Sequence, residues 1–168
     1  TATPVESPTA TPVESPTATP VESPTATPVE SPTATPTESP VAQVELSITA
    51  PATALVGDTV TVSIGIANAV NADAFGFDLL QSVPALNFVS VQKEGTLTSG
   101  FLLVNGQALA TPAGAVRVGA VGGPASVSGD GTLLTIQFTA ATEGVTTLSF
   151  ANVVDDLAGA LLTTASIE

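Results

Sequence analysis

From Val44 onward the chain alternates between apolar and polar residues. Val44, Leu46 and Ile48 are separated by Glu45 and Ser47, the two-residue period of a strand with one buried face. Pro51 ends it, Gly57-Asp58 supplies a turn, and Val60, Val62, Ile64 and Ile66 then alternate with Thr59, Thr61, Ser63 and Gly65. Asn68 to Asp73 reads as a loop. Phe75, Phe77 and Leu79 resume an inward face, with Asp78 pointing outward, until Pro84; Leu86, Phe88, Val89 and Val91 follow. Phe101 to Val104 is a short apolar run before the turn-prone pair Asn105-Gly106, and Ala115 to Val121 alternates around Arg117. Gly122-Gly123-Pro124 opens a Ser/Gly/Asp loop with a turn at Gly129-Asp130-Gly131. Leu134, Ile136 and Phe138 form another inward face, then Leu148 and Phe150, then a final segment from Leu161 to Ile167. No stretch holds a 3.6-residue period. Eight or nine short strands punctuated by turn residues predict an all-β fold, an antiparallel sandwich or jelly roll.

The first forty residues follow a different rule. They are five copies of Thr-Ala-Thr-Pro-Val-Glu-Ser-Pro, the last with Thr37 in place of Val. Two prolines per copy fix φ near −65° and push the residues before them out of the α region, so no helix is expected. Proline also lacks the N–H that a central strand needs, leaving an extended, polyproline-II-like arm. At about 3.1 Å per residue such an arm reaches on the order of 120 Å. The sequence thus divides into an arm, residues 1–40, and a β domain, residues 41–168. The arm's hydroxyls, exposed and set beside proline, have the composition of mucin-like stalks that carry O-glycans. The candidate attachment sites are Thr1, Thr3, Ser7, Thr9, Thr11, Ser15, Thr17, Thr19, Ser23, Thr25, Thr27, Ser31, Thr33, Thr35, Thr37 and Ser39. An unmodified linker has the same composition.

Composition sharpens the division: ten of the fourteen prolines precede residue 41, while all fourteen glycines and six phenylalanines follow it. With no cysteine, stability must come from an apolar core. The net charge of −13 divides into −5 on the arm and −8 on the domain, whose only cations are Lys93 and Arg117. Nucleic acid and anionic membrane surfaces are therefore poor partners, because nothing cationic faces their phosphates. No stretch reads as a signal peptide or a membrane span, and the chain reads as a mature or excised piece.

The chemistry available is narrow. Without His, Cys, Tyr or Trp, the usual bases, nucleophile pairs and aromatic sugar platforms are missing. Asp155-Asp156 is the one adjacent carboxylate pair, and neighbours on a strand point to opposite faces, which suits loop charges better than acid–base work. Asp130 in its Gly-rich turn and the Asn71-Ala72-Asp73 segment are weak candidates for calcium, since neither has the ligand count of a calcium loop. Glycines such as Gly57, Gly106, Gly129 and Gly131 precede no helix and no phosphate-binding lysine. No enzyme and no cofactor are expected.

Four segments, taken in order, carry a resemblance: Gly57-Asp58-Thr59-Val60-Thr61-Val62-Ser63-Ile64, Phe75-Gly76-Phe77-Asp78-Leu79, Leu86-Asn87-Phe88-Val89-Ser90-Val91, and Gly129 to Phe138. Together they resemble cohesin modules, nine-stranded jelly-roll domains of microbial surface proteins often joined by Thr/Pro-rich linkers. The resemblance covers nearly all of residues 43–168. It implies a non-catalytic protein-binding module, and it places Asp78 at the position of an acidic residue that takes part in dockerin binding. Gly76, and Ser82-Val83-Pro84 at the strand's end, depart from the family pattern. A solvated outward residue is the plainer reading of Asp78. The expected function is an extracellular structural or adhesive protein of a fibre, stalk or matrix. Its partners are copies of itself or another surface protein, and head-to-tail assembly is one route. The alternatives are a scaffold module that captures a dockerin-bearing enzyme and a carbohydrate-binding or adhesin module.

Overall fold

The structure, a computed structural model, describes residues 42–168. The octapeptide arm and its candidate glycosylation sites lie outside these residues. Ten strands follow in order: β1 (Glu45–Thr49), β2 (Thr59–Ala72), β3 (Ala74–Gln81), β4 (Leu86–Gln92) and β5 (Leu103–Ala108) come first. Then come β6 (Val116–Val121), β7 (Val127–Ala140), β8 (Thr146–Asp155), β9 (Leu161–Leu162) and β10 (Ala165–Ile167). They form two five-stranded sheets, β4-β7-β2-β1-β9 and β10-β8-β3-β6-β5. All pairs are antiparallel except β1 with β9. The all-β sandwich expected from the alternation, and the jelly roll that the resemblance implies, are the observed fold. The final segment from Leu161 to Ile167 is one stretch in sequence but two strands in space: β9 closes one sheet and β10 the other.

The inward faces are those that the pattern marks. Val60, Val62, Ile64 and Ile66 of β2 meet Leu134, Ile136 and Phe138 of β7 side by side, and across the sandwich lie Phe75, Phe77 and Leu79 of β3, all buried. Phe77 packs edge-on against Phe150 with ring centroids 5.3 Å apart, and Phe88 against Phe138 at 6.2 Å, both in the favourable T-shaped range. Burial of these side chains at ~25 cal/mol per Å² of apolar surface is the main force holding the sheets together.

Three expectations about turns give way to strand. Asn68 to Asp73, read as a loop, is for the most part the far end of β2, which runs through Ala72. Gly129-Asp130-Gly131, read as a turn, lies inside β7. The two segments face each other, Ala69 opposite Gly129 and Ile66 opposite Gly131, across a ladder with register shifts on both sides of Ala69. Asn68 and Asn71 take φ of 57° and 50°, and Gly129 takes 85°. Asparagine and glycine tolerate this left-handed geometry, so bulges are accommodated without ending the strands. Asn105-Gly106, the third expected turn, is the middle of β5. Glycine serves there because β5 crosses close over β4: a Cβ on Gly106 would overlap Val91 Cγ2 and stand 2.9 Å from Phe88 Cζ.

Candidate functional site

Alternation along β3 sends Ala74, Gly76, Asp78 and Leu80 to the outer face of the β10-β8-β3-β6-β5 sheet. Register then brings partners to Asp78 from both sides, Arg117 on β6 and Ala151 on β8. Arg117 Nε donates to Asp78 Oδ1 at 2.7 Å and its Nη2 to Oδ2 at 2.8 Å, a two-pronged pair. Asn152 Nδ2 donates to Oδ2 at 2.6 Å. Asn152 reaches in because β8 is bulged between its Gly76 and Asp78 partners and Asn152 itself has φ 48°. Asp78 points outward as expected, but it is not solvated: its side chain is 3% exposed, while the Arg117 side chain that covers it is 60% exposed.

Hydrogen bonding from Arg117 holds the Asp78 carboxyl below the usual carboxylate range; burial works against this, and Asn152 and the guanidinium charge add to it. The same contact raises Arg117. The group this face offers to a partner is accordingly the guanidinium, with Nη1 outside the pair, rather than a free carboxylate. Around it the face is low and uncharged. Gly119 has open space where a side chain would stand, and Gly76 is limited by Val154 Cγ2 at 3.1 Å. Leu103, Val121 and Val154 lie toward one margin, 55%, 48% and 47% exposed. Gly76, Phe77, Asp78, Arg117, Asn152 and Val154 border a shallow depression there.

The segments considered for calcium turn out to bind each other. Asp130 Oδ1 accepts the Asn68 N–H at 2.8 Å, and Ser128 Oγ accepts the Asn71 N–H at 2.9 Å. These side chains cap backbone donors freed by the bulges. Among the described residues no three acidic side chains gather as a metal-binding group. Asp155 and Asp156 also part company: Asp155 ends β8 with φ 58°. Asp156 Oδ2 accepts the N–H groups of Asp73 and Ala74 at 2.8 and 3.0 Å, which lowers its pKa. It ties the end of β8 to the β2–β3 junction.

Sequence reading passed over several polar residues that the fold uses. Gln81 is buried, donating to Leu86 O and Gly114 O at 2.8 and 2.6 Å and accepting from Leu86 N at 2.8 Å. Thr98, fully buried, donates to Leu133 O at 2.8 Å. Lys93 Nζ donates to Phe101 O. Only Gln81 carried a signal, as a polar residue at an inward position of a strand.

No protein-family model matches the chain, and no curated protein matches it. Solved structures do. A non-cellulosomal cohesin from the archaeon Archaeoglobus fulgidus is similar at TM-score 0.59 and 21% identity, over 76% of this chain and 92% of that one. The sixth cohesin of scaffoldin B from Acetivibrio cellulolyticus, solved in complex with a dockerin, gives 0.60 at 14% identity over 75% and 98%. The cohesin module of a Clostridium perfringens family 33 glycoside hydrolase gives 0.58 at 12% over 75% and 96%. The β domain of this chain has the cohesin fold.

Proposed function

We propose that this chain is an extracellular structural or adhesive protein of a surface fibre, stalk or matrix. In this reading the non-catalytic sandwich makes protein–protein contacts, and the arm, carrying O-glycans, holds it away from neighbouring modules. The observation that carries the proposal is the outer face around Asp78 and Arg117. It is low and uncharged apart from a preorganised ion pair, with aliphatic side chains at one margin, the features that let another protein surface approach closely. Such a face is a contact surface rather than a reaction centre. The six phenylalanines support the choice over a carbohydrate module, since five are buried and Phe88 is half-buried, leaving no aromatic platform among the described residues.

The second reading, capture of a dockerin-bearing enzyme, is favoured by the shared fold and by the position of Asp78. Two measurements separate them. Filaments or networks of the full chain that grow with concentration under the electron microscope support the structural role. Calcium-dependent capture of dockerins by a chain that stays monomeric would assign it to scaffold work instead. For the arm, the intact mass of the native protein is expected to exceed 16.4 kDa; a mass at that value would remove the glycans.

A further inference from the structure

We propose that a cleft at the end of the sandwich opposite Gln43 and Val44 is an acceptor for a Pro-Val segment of a second copy's octapeptide repeat. This rests on the reading of residues 1–40 as an extended, exposed arm.

The chain runs into the domain beside β9, where Gln43 Nε2 donates to Gly159 O at 2.5 Å and Leu161 N to Val44 O at 2.8 Å. From there β1 carries it to the opposite end, roughly 20 Å away at the rise of an extended strand. At that far end lies a cleft of about 440 Å³ lined on its apolar side by Leu55, Val56, Ala85, Leu86, Ala140 and Ile167, with threonines and carboxylates on the other, within the ~300–1,000 Å³ of ligand pockets. Leu55 and Val56 at its rim are 77% and 54% exposed.

The backbone around the cleft narrows the choice of occupant. Ala54 N is bonded to Glu168 O, Glu168 N to Ala52 O, Gly57 N to Ala140 O and Ala140 N to Asp58 O, each at 2.8 or 2.9 Å. Leu55 N is taken by Asp58 Oδ2 at 3.0 Å. With these donors engaged, the site gains little from adding a strand by main-chain hydrogen bonds. It gains from an apolar segment that asks for few such bonds and is extended before it binds. Proline brings no N–H and a preset φ, so a Pro-Val dipeptide can bury its side chains at low ordering cost. The repeat offers that pair four times, at Pro4-Val5, Pro12-Val13, Pro20-Val21 and Pro28-Val29. Cleft and arm attachment at opposite ends make the contact head-to-tail, which propagates as an open chain. Asp58, Glu143 and Glu168 at the cleft oppose the Glu of the incoming repeat, so salt is expected to strengthen the contact by screening.

Sedimentation velocity on the full chain across a concentration series tests this. The comparison is with the double variant Leu55→Ser/Val56→Ser, whose exposed positions leave thermal unfolding unchanged. The wild type is expected to form elongated oligomers, and the variant to need at least tenfold higher concentration for the same degree of association. A synthetic two-repeat peptide should dissolve the wild-type oligomers, and a scrambled peptide should not. Oligomers indifferent to the double substitution or to the peptide, or a wild type monomeric throughout, would overturn the proposal. Cleavage of the arm by a Glu-specific protease, in chain made without glycans and diluted below the association range, reads its exposure separately. There, rapid cutting in a chain that does not associate at higher concentration condemns the cleft alone, whereas resistance to cutting condemns the extended arm.

Discussion

At the scale of single residues, the Asp78–Arg117 pair shows how much of a site lies in register rather than in composition. Alternation across Phe75, Phe77 and Leu79 is enough to turn Asp78 outward. That it is nearly inaccessible depends on Arg117, thirty-nine positions along, and on a bulge that swings Asn152 inward, neither of which leaves a local signal. The pair also has a pH signature. Asp78 has a lowered pKa in the folded chain, so its pair stabilises the fold above the unfolded-state value of about 3.9 and ceases to do so as pH falls through the lower folded value. Asp78→Asn should therefore be less stable than the wild type above about pH 4, with the gap closing in more acidic solution. Thermal unfolding of both chains over a pH series checks this, and a gap constant down to the lowest pH would refute it. Gln81→Leu should cost more than about 2 kcal/mol in denaturant unfolding, because it strands the buried carbonyl and N–H of Leu86 and the half-buried carbonyl of Gly114.

At the scale of elements, the regular strands were legible and the irregular ones were not. β2, β3 and β7 declare themselves by strict alternation over their central residues. Their bulged portions use Asn, Gly and Asp, the same residues that make turns, and local composition cannot tell a positive φ within a ladder from one that ends it. Gly106 is the sharpest case: it looks like half of a turn, yet it is required by the proximity of Val91 and Phe88. Gly106→Ala is expected to destabilise by about 1–3 kcal/mol through overpacking. Asn105→Ala, exposed on the opposite face, should stay within about 0.5 kcal/mol. Equal effects of the two in urea unfolding would mean that the glycine serves a turn after all.

Over the whole molecule, the sheet faces carry little charge. Most acids of the domain sit at strand ends or in loops: Asp58 and Glu143 at one end, Asp73, Asp155 and Asp156 at the other. Repulsion is thereby concentrated where the ends of two copies would meet, and the broad outer faces are left open to partners. The core has the opposite character. Phe77→Ala, which empties the space between Phe75 and Phe150, should cost about 3–5 kcal/mol. The all-β class could be read from periodicity alone because a sandwich asks only for alternating strands, whereas the jelly-roll topology came with the resemblance to cohesin modules. The proposed contact face could not, since it is assembled from β3, β6 and β8, which meet only after folding. Arg117 is the chain's single arginine, and its exposed guanidinium marks that face. The most direct measurement is therefore phenylglyoxal modification of Arg117, read by mass spectrometry, in the isolated chain and in assembled material from the native source. Slow but measurable modification is expected in the isolated chain, held back by the Asp78 pair, and none in the assembled material; equal reactivity in both would contradict a contact through this face.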